Sequence, residues 1–260
     1  MMELVLSHSN LLKNKSGGFT LVELSIVLVI IGLLIGGILS AQSMISTVKI
    51  QSFTRQIGQA DIAVGTFGAR YGSVPGDSRL FNNLVGDSDG IIELQSGIDW
   101  NPADEVPNFW PQLVISGFKA DGTSAGYTAN YASNFPLNGV TPAAPQAKIG
   151  RNAGILVMGW PASGNIFGQA ANAYMILNCT ESTGFDQLDC SSPLSGADAI
   201  AADNKMDDGV GTTGNVLGFD VTNSTTLYLL SGTPTADYDA SETSDDSTAL
   251  FIRIGSQLGF

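Results

Sequence analysis

The sequence predicts an α+β protein: a long N-terminal helix, apolar in its first half and amphipathic in its second, packed on an antiparallel β-sheet head. Three observations carry that expectation. The run from Phe19 to Ala41 is apolar with a single charge, Glu23. After it, apolar residues recur at helical spacing as far as Tyr71. Farther on, short apolar runs alternate with loops rich in Gly, Ser and Asp.

The first run has 23 residues, enough to cross a bilayer as a helix. Lys13 and Lys15 precede it, which favours a cytoplasmic N-terminus and places the chain after Ala41 outside the inner membrane. From residue 42 to 72 the helix continues with mixed polarity. Ile45, Val48, Phe53, Ile57, Ala60, Val64, Phe67 and Tyr71 form one apolar stripe, with one five-residue gap, that should lie on the head. Gly72 and Pro75 end it. In the head, residues 73–260, Phe109, Trp110, Leu113, Val114 and Phe118 suggest a short amphipathic helix. Strands are expected at 155–160, 173–179, 226–230 and 249–255, and a short helix ending at Asp207–Gly209.

Composition narrows the chemistry. The 260-residue chain is 43% hydrophobic and only 13% charged, so Gly, Ser, Thr, Asn and Asp supply its polarity, as suits a secreted, loop-rich fold. Its net charge of −13 repels phosphate backbones, so no direct nucleic-acid binding is expected. The one histidine, His8, lies ahead of Gly17 and Gly18. If that segment is removed, His-based catalysis and histidine zinc ligation go with it.

A secretory signal peptide carries its small cleavage-site residues after the apolar core. Here the glycines come first, so a cut between Gly18 and Phe19 would leave the apolar helix on the mature chain. The segment "GGFTLVELSIVLVIIGLLIGGIL" resembles the N-terminal processing and methylation segment of type IV prepilins and type II secretion pseudopilins. The resemblance implies a leader of residues 1–18, cleavage after Gly18, N-methylation of Phe19, and pairing of Glu23 with the N-terminal amine of a neighbouring subunit. A lone carboxylate at membrane depth costs roughly 2.5–3.5 kcal/mol, which such a pair turns into selectivity for alignment. Many type IV pilins have a proline about where this chain has Ser40. Gly32, Gly36 and Gly37 could loosen the helix there or allow close helix packing. Looser likenesses in the head, "YGSVPGD", "FWPQL" and "DNKMDDG", are to large pilin-like proteins.

In an exported head, Cys179 and Cys190, flanking "TESTGFDQLD", are expected to form a disulfide; two buried free thiols are the other reading. Two acidic loops invite calcium, the one candidate cofactor: Asp87 and Asp89 with Glu93 around Gly90, and Asp203, Asp207 and Asp208. Neither is an EF-hand, since Val85, Ser96 and Lys205 stand where ligands belong, and solvated turns explain both loops as well. The same acids are the whole case for a membrane-anchored hydrolase, and no second catalytic element accompanies them.

The expectation is a non-enzymatic, pilin-like filament subunit: residues 1–18 leader, 19–41 transmembrane and polymerisation helix, 42–72 amphipathic half, 73–260 head. As the resemblance implies, its partners would be the prepilin peptidase and methylase, like or related pilin subunits, and the inner membrane. It would be a single-pass precursor before joining either a pilus, with a minor pilin's part in adhesion or motility as one role, or a periplasmic pseudopilus that drives protein export.

Overall fold

The computed structural model describes residues 18–81, 86–93, 104–117, 144–149, 153–160, 167, 170–181, 188–219 and 248–255. The chain divides into two compact units, Met1–Ile45 and Ser46–Phe260. In the first unit, after Gly18, Phe19 and Thr20, the described residues form the apolar part of helix α1, Leu21–Tyr71. They run as unbroken helix through Gly32, Gly36, Gly37 and Ser40, and no side chain or neighbouring backbone crowds the three glycines.

The second unit is an α+β head. Its other elements are α2 (Glu105–Ile115), β1 (Gly154–Trp160), β2 (Ala171–Glu181), β3 (Leu188–Ser191), α3 (Gly196–Met206), β4 (Val216–Phe219) and β5 (Ala249–Arg253). The strands form one antiparallel sheet in the order β1-β2-β5-β4, with β3 paired to the end of β2. Register lines up Val157, Tyr174, Ile252 and Val216 across four strands on the face that meets the helices. The adjacent row, Leu156, Met175, Phe251 and Leu217, points to the opposite face and is also buried. Burial on both faces explains why these strands read as continuous apolar runs rather than alternating ones.

The strands expected at 155–160, 173–179 and 249–255 are present with slightly different ends. The strand expected at 226–230 lies outside the described residues. Strands β3 and β4 escaped the sequence reading because each is four residues long, and β3 carries no β-branched or aromatic side chain while β4 carries only Val216 and Phe219. In α2, Val106, Phe109, Trp110 and Leu113 are buried, while Pro107 sits in the first turn, where backbone N–H groups have no helical partner anyway. Helix α3 starts at Ser195, whose Oγ accepts the Asp198 N–H, and stops before Gly209, at φ +80°.

The stripe of α1 differs from expectation at its start. Ile45 and Val48 are 55% and 62% exposed, and head packing begins at Ile50. Ile50 closes the five-residue gap, giving Ile50, Phe53, Ile57, Ala60, Ala63 and Phe67 at steps of three and four. Polar side chains fix the same face. Gln56 Nε2 donates to the Gln146 carbonyl at 2.8 Å and its Oε1 accepts the Lys148 N–H at 2.9 Å. The buried Asp61 carboxylate accepts the Gly255 N–H at 3.1 Å, beyond the end of β5.

Candidate functional site

The expected processing point lies where α1 begins. Gly18, Phe19 and Thr20 precede the helix, and a Cβ added at Gly18 would meet nothing within 4 Å. Thr20 caps the helix. Its Oγ1 accepts the Glu23 N–H at 3.2 Å, while Glu23 Oε2 accepts the Thr20 N–H at 2.8 Å and the Thr20 hydroxyl at 2.9 Å. This is a reciprocal capping box, which satisfies N–H groups that an apolar helix would otherwise leave bare. Glu23 is thus turned back toward the residues before the helix. Among the described residues its Oε1 receives no hydrogen bond and stays open to a further donor. Thr20 was missed in the sequence reading, although T-x-x-E directly before an apolar run is a recognisable helix start. The helix that follows is long and apolar enough to cross a bilayer, and its most apolar window is not buried by the rest of the protein.

Residues 13–39 match the prokaryotic N-terminal methylation motif. This is the prepilin-type cleavage and methylation segment of type IV pilins and pseudopilins, so the chain is pilin- or pseudopilin-like at its N-terminus. The motif implies processing by a prepilin peptidase and assembly with other pilin subunits, and with the apolar helix it fits a single-pass membrane anchor. No curated protein and no solved structure matches the chain. The methylation segment aligns with the geometry above: the capping box lies inside it, and Gly18 and Phe19 lie just before that box.

The acidic residues of the head fall into two groups. Asp77, Asp87 and Asp89 bring carboxylate oxygens within 4.8 Å of one another, as do Asp203, Asp207 and Asp208. Asp77, outside the expected set, is buried and central to the first group: its two oxygens accept the Ser88 and Gly90 N–H groups. Glu105, also buried, accepts the N–H groups of Asp87 and Glu93, each at 3.1 Å. Burial pushes Glu105 up to about 7, with the nearby Asp77 and Asp87 charges adding to the rise against the two hydrogen bonds. Burial likewise raises Asp77 and Glu93. Gly86, at φ +99°, lies so close to Asp77 that a Cβ would fall 2.4 Å from its carbonyl carbon. Asn172 of β2 completes the brace, accepting the Ile92 N–H and donating to the Gly90 carbonyl. These carboxylates therefore already hold a loop by its backbone.

In the second group, Asp207 accepts the Asn215 and Val216 N–H groups, and Asp208 accepts from Val210 N–H and the Thr213 hydroxyl. Those bonds keep Asp208 below the usual carboxylate range. The group ties the end of α3 to the start of β4. Finally, backbone register places Cys179 of β2 directly opposite Cys190 of β3.

Proposed function

We propose that this chain is a structural subunit of a type IV pilus-like filament, inserted as a precursor, cut after Gly18, N-methylated at Phe19 and polymerised through its N-terminal helix. The observation that carries the reading is the methylation motif at 13–39 lying over the Thr20–Glu23 capping box. A peptidase needs its scissile bond extended, and Gly18–Phe19 lies outside the helix with open space around Gly18. The cut creates an amine at Phe19, one residue before the amide that Glu23 already binds. Glu23 caps its own helix through Oε2, and Oε1 accepts the charged amine of the next subunit. In an apolar filament core that pair strongly favours one axial register, because a slipped subunit leaves a buried charge without its partner. The head displays an acidic surface to neighbours, cargo or external targets. Cys179 and Cys190 close a cross-strand disulfide, for which directly opposed antiparallel residues have a suitable Cα separation.

Intact mass of the purified chain tests processing. The wild type is expected to begin at Phe19 with one added methyl, and Gly18→Val to retain its leader and stay out of filaments. A mature chain that begins at Met1, or after a cut beyond Ala41, overturns the reading. Immunogold labelling then separates the two filament types: label on extracellular fibres marks a pilus subunit, and label confined to the periplasm marks a pseudopilin of a type II secretion system.

A further inference from the structure

The outward face of α1 in the second unit differs in charge from the rest of the protein. Residues 73–260 hold 21 acids and six bases, a net −15, whereas residues 42–72 hold Lys49, Arg55 and Arg70 against one acid, Asp61. Asp61 is buried, so the exposed side of this stretch is cationic without an anion of its own. Lys49 and Arg55 make no ion pair or hydrogen bond with any described residue. Arg70 lies over the Tyr71 ring, its guanidinium carbon 5.2 Å from the ring centroid.

The same face is also apolar. Val48, Arg55 and Ile62 recur every seventh residue, which keeps them on one line about 10 Å apart along the helix. Val48 and Ile62 are 62% and 60% exposed. Beside the line runs a 280 Å³ groove lined by Gln59, Ile62, Thr66 and Arg70 of α1 and by Ser116 and Gly117 after α2. An arginine with no partner among the described residues, set between two exposed aliphatic side chains beside a groove, has the composition of an interface centre rather than of a solvated helix face.

We propose that this face docks the head of a second copy of the chain, with Arg55 and Arg70 meeting the loop at Gly86–Gly90. Asp87 and Asp89 are exposed there, and among the described residues each accepts a local hydrogen bond on Oδ1 and none on Oδ2. Asp208, the other exposed carboxylate of the described head, has both oxygens engaged. Two heads of net −15 repel each other, and the cationic helix face is the complementary surface that one copy offers another. The inference deepens the filament reading, on which it rests, by naming a contact between heads.

The test places a photoreactive benzoylphenylalanine at Gln59 in the full-length chain, in membranes. Irradiation is expected to yield a two-copy adduct whose linked peptide contains Asp87–Asp89. Arg55→Glu with Arg70→Glu should lower its yield by about tenfold, and about 0.5 M salt should weaken it too. A co-expressed copy with Asp87→Lys and Asp89→Lys should restore it. The substituted side chains are exposed, and a single cooperative unfolding transition well above the assay temperature for each variant checks that the head still folds. Adducts on another protein, adducts elsewhere on the second copy, no adduct, or a yield indifferent to charge reversal each overturn the proposal. The N-terminal mass is read on the same samples. A methylated Phe19 terminus without the adduct removes only this contact, and the adduct on a chain starting at Met1 removes only the filament reading.

Discussion

Glu23 caps its own helix and carries the charge proposed to align subunits, and substitution separates these tasks. Glu23→Ala loses both and is expected to insert and be cleaved normally yet be missing from sheared filaments. Glu23→Gln keeps an oxygen for the Thr20 N–H but has no charge, and the same loss of incorporation is expected. Thr20→Val keeps the charge and removes a capping hydroxyl, at a cost of about 1 kcal/mol of helix-end stability, with filaments still formed. Incorporation of Glu23→Gln at the wild-type level would reduce Glu23 to a cap. In the head, Cys179 and Cys190 make a separate prediction. The unreduced protein should weigh two hydrogens less than the reduced one, and replacing both cysteines by serine should cost the head roughly 3 kcal/mol. An unreduced mass equal to the reduced mass would leave the pair as thiols.

The amphipathic half of α1 was legible as a helix but not in its contacts. Its three- and four-residue spacing marks the buried face, yet only the fold shows that cover begins at Ile50 and leaves Val48 outside. Gln56 looks in sequence like a polar interruption of the stripe. It is instead the side chain that pairs with the backbone of residues 146 and 148, about ninety positions away. The acidic loop was legible in the same partial way. Asp87 and Asp89 stand out as neighbours, whereas Asp77 and Glu105, which do the bracing, are separated by 28 positions and meet only when α2 folds against the loop. Local pattern names the members of an element; partners distant in the chain are set by topology. Hence Gln56→Ala, which strands two backbone groups, should cost the head about 2–3 kcal/mol, and Phe53→Ala about 3–5 kcal/mol. Val48→Ala should stay within about 0.5 kcal/mol. Urea titration of the full-length chain in detergent ranks the three, and an equal cost for Val48→Ala would place it in the core.

Across the whole molecule, excess negative charge and buried carboxylates act in the same direction. A carboxyl group whose folded value lies above its ordinary one binds its proton more tightly in the folded state. Its contribution to stability is therefore full below the ordinary value and is lost as pH rises through the folded one. Glu105, raised from 4.5 to about 7, sets the window, and Asp77 and Glu93 are raised by burial too. Asp208 shifts the other way, but it is exposed and its gain is complete before that window opens. Self-repulsion in a chain of net −13 grows over the same range as the last carboxyl groups ionise. The head should accordingly be most stable near pH 5 and lose about 2–3 kcal/mol by pH 8, contrary to proteins whose carboxylates sit in ion pairs. Glu105→Gln, which cannot ionise but keeps one carbonyl oxygen for the loop, should flatten the profile between pH 5 and 7 even if it lowers stability at every pH. Urea midpoints at pH 5, 6, 7 and 8 for both proteins decide it. Calcium at millimolar concentration, added at pH 8, probes the same carboxylates: a rise in midpoint in the wild type that Asp87→Asn with Asp89→Asn abolishes would make the loop a metal site, and an unchanged midpoint would leave it a backbone brace. A wild-type midpoint that climbs from pH 5 to 8 would show that Glu105 is ionised without penalty where it lies.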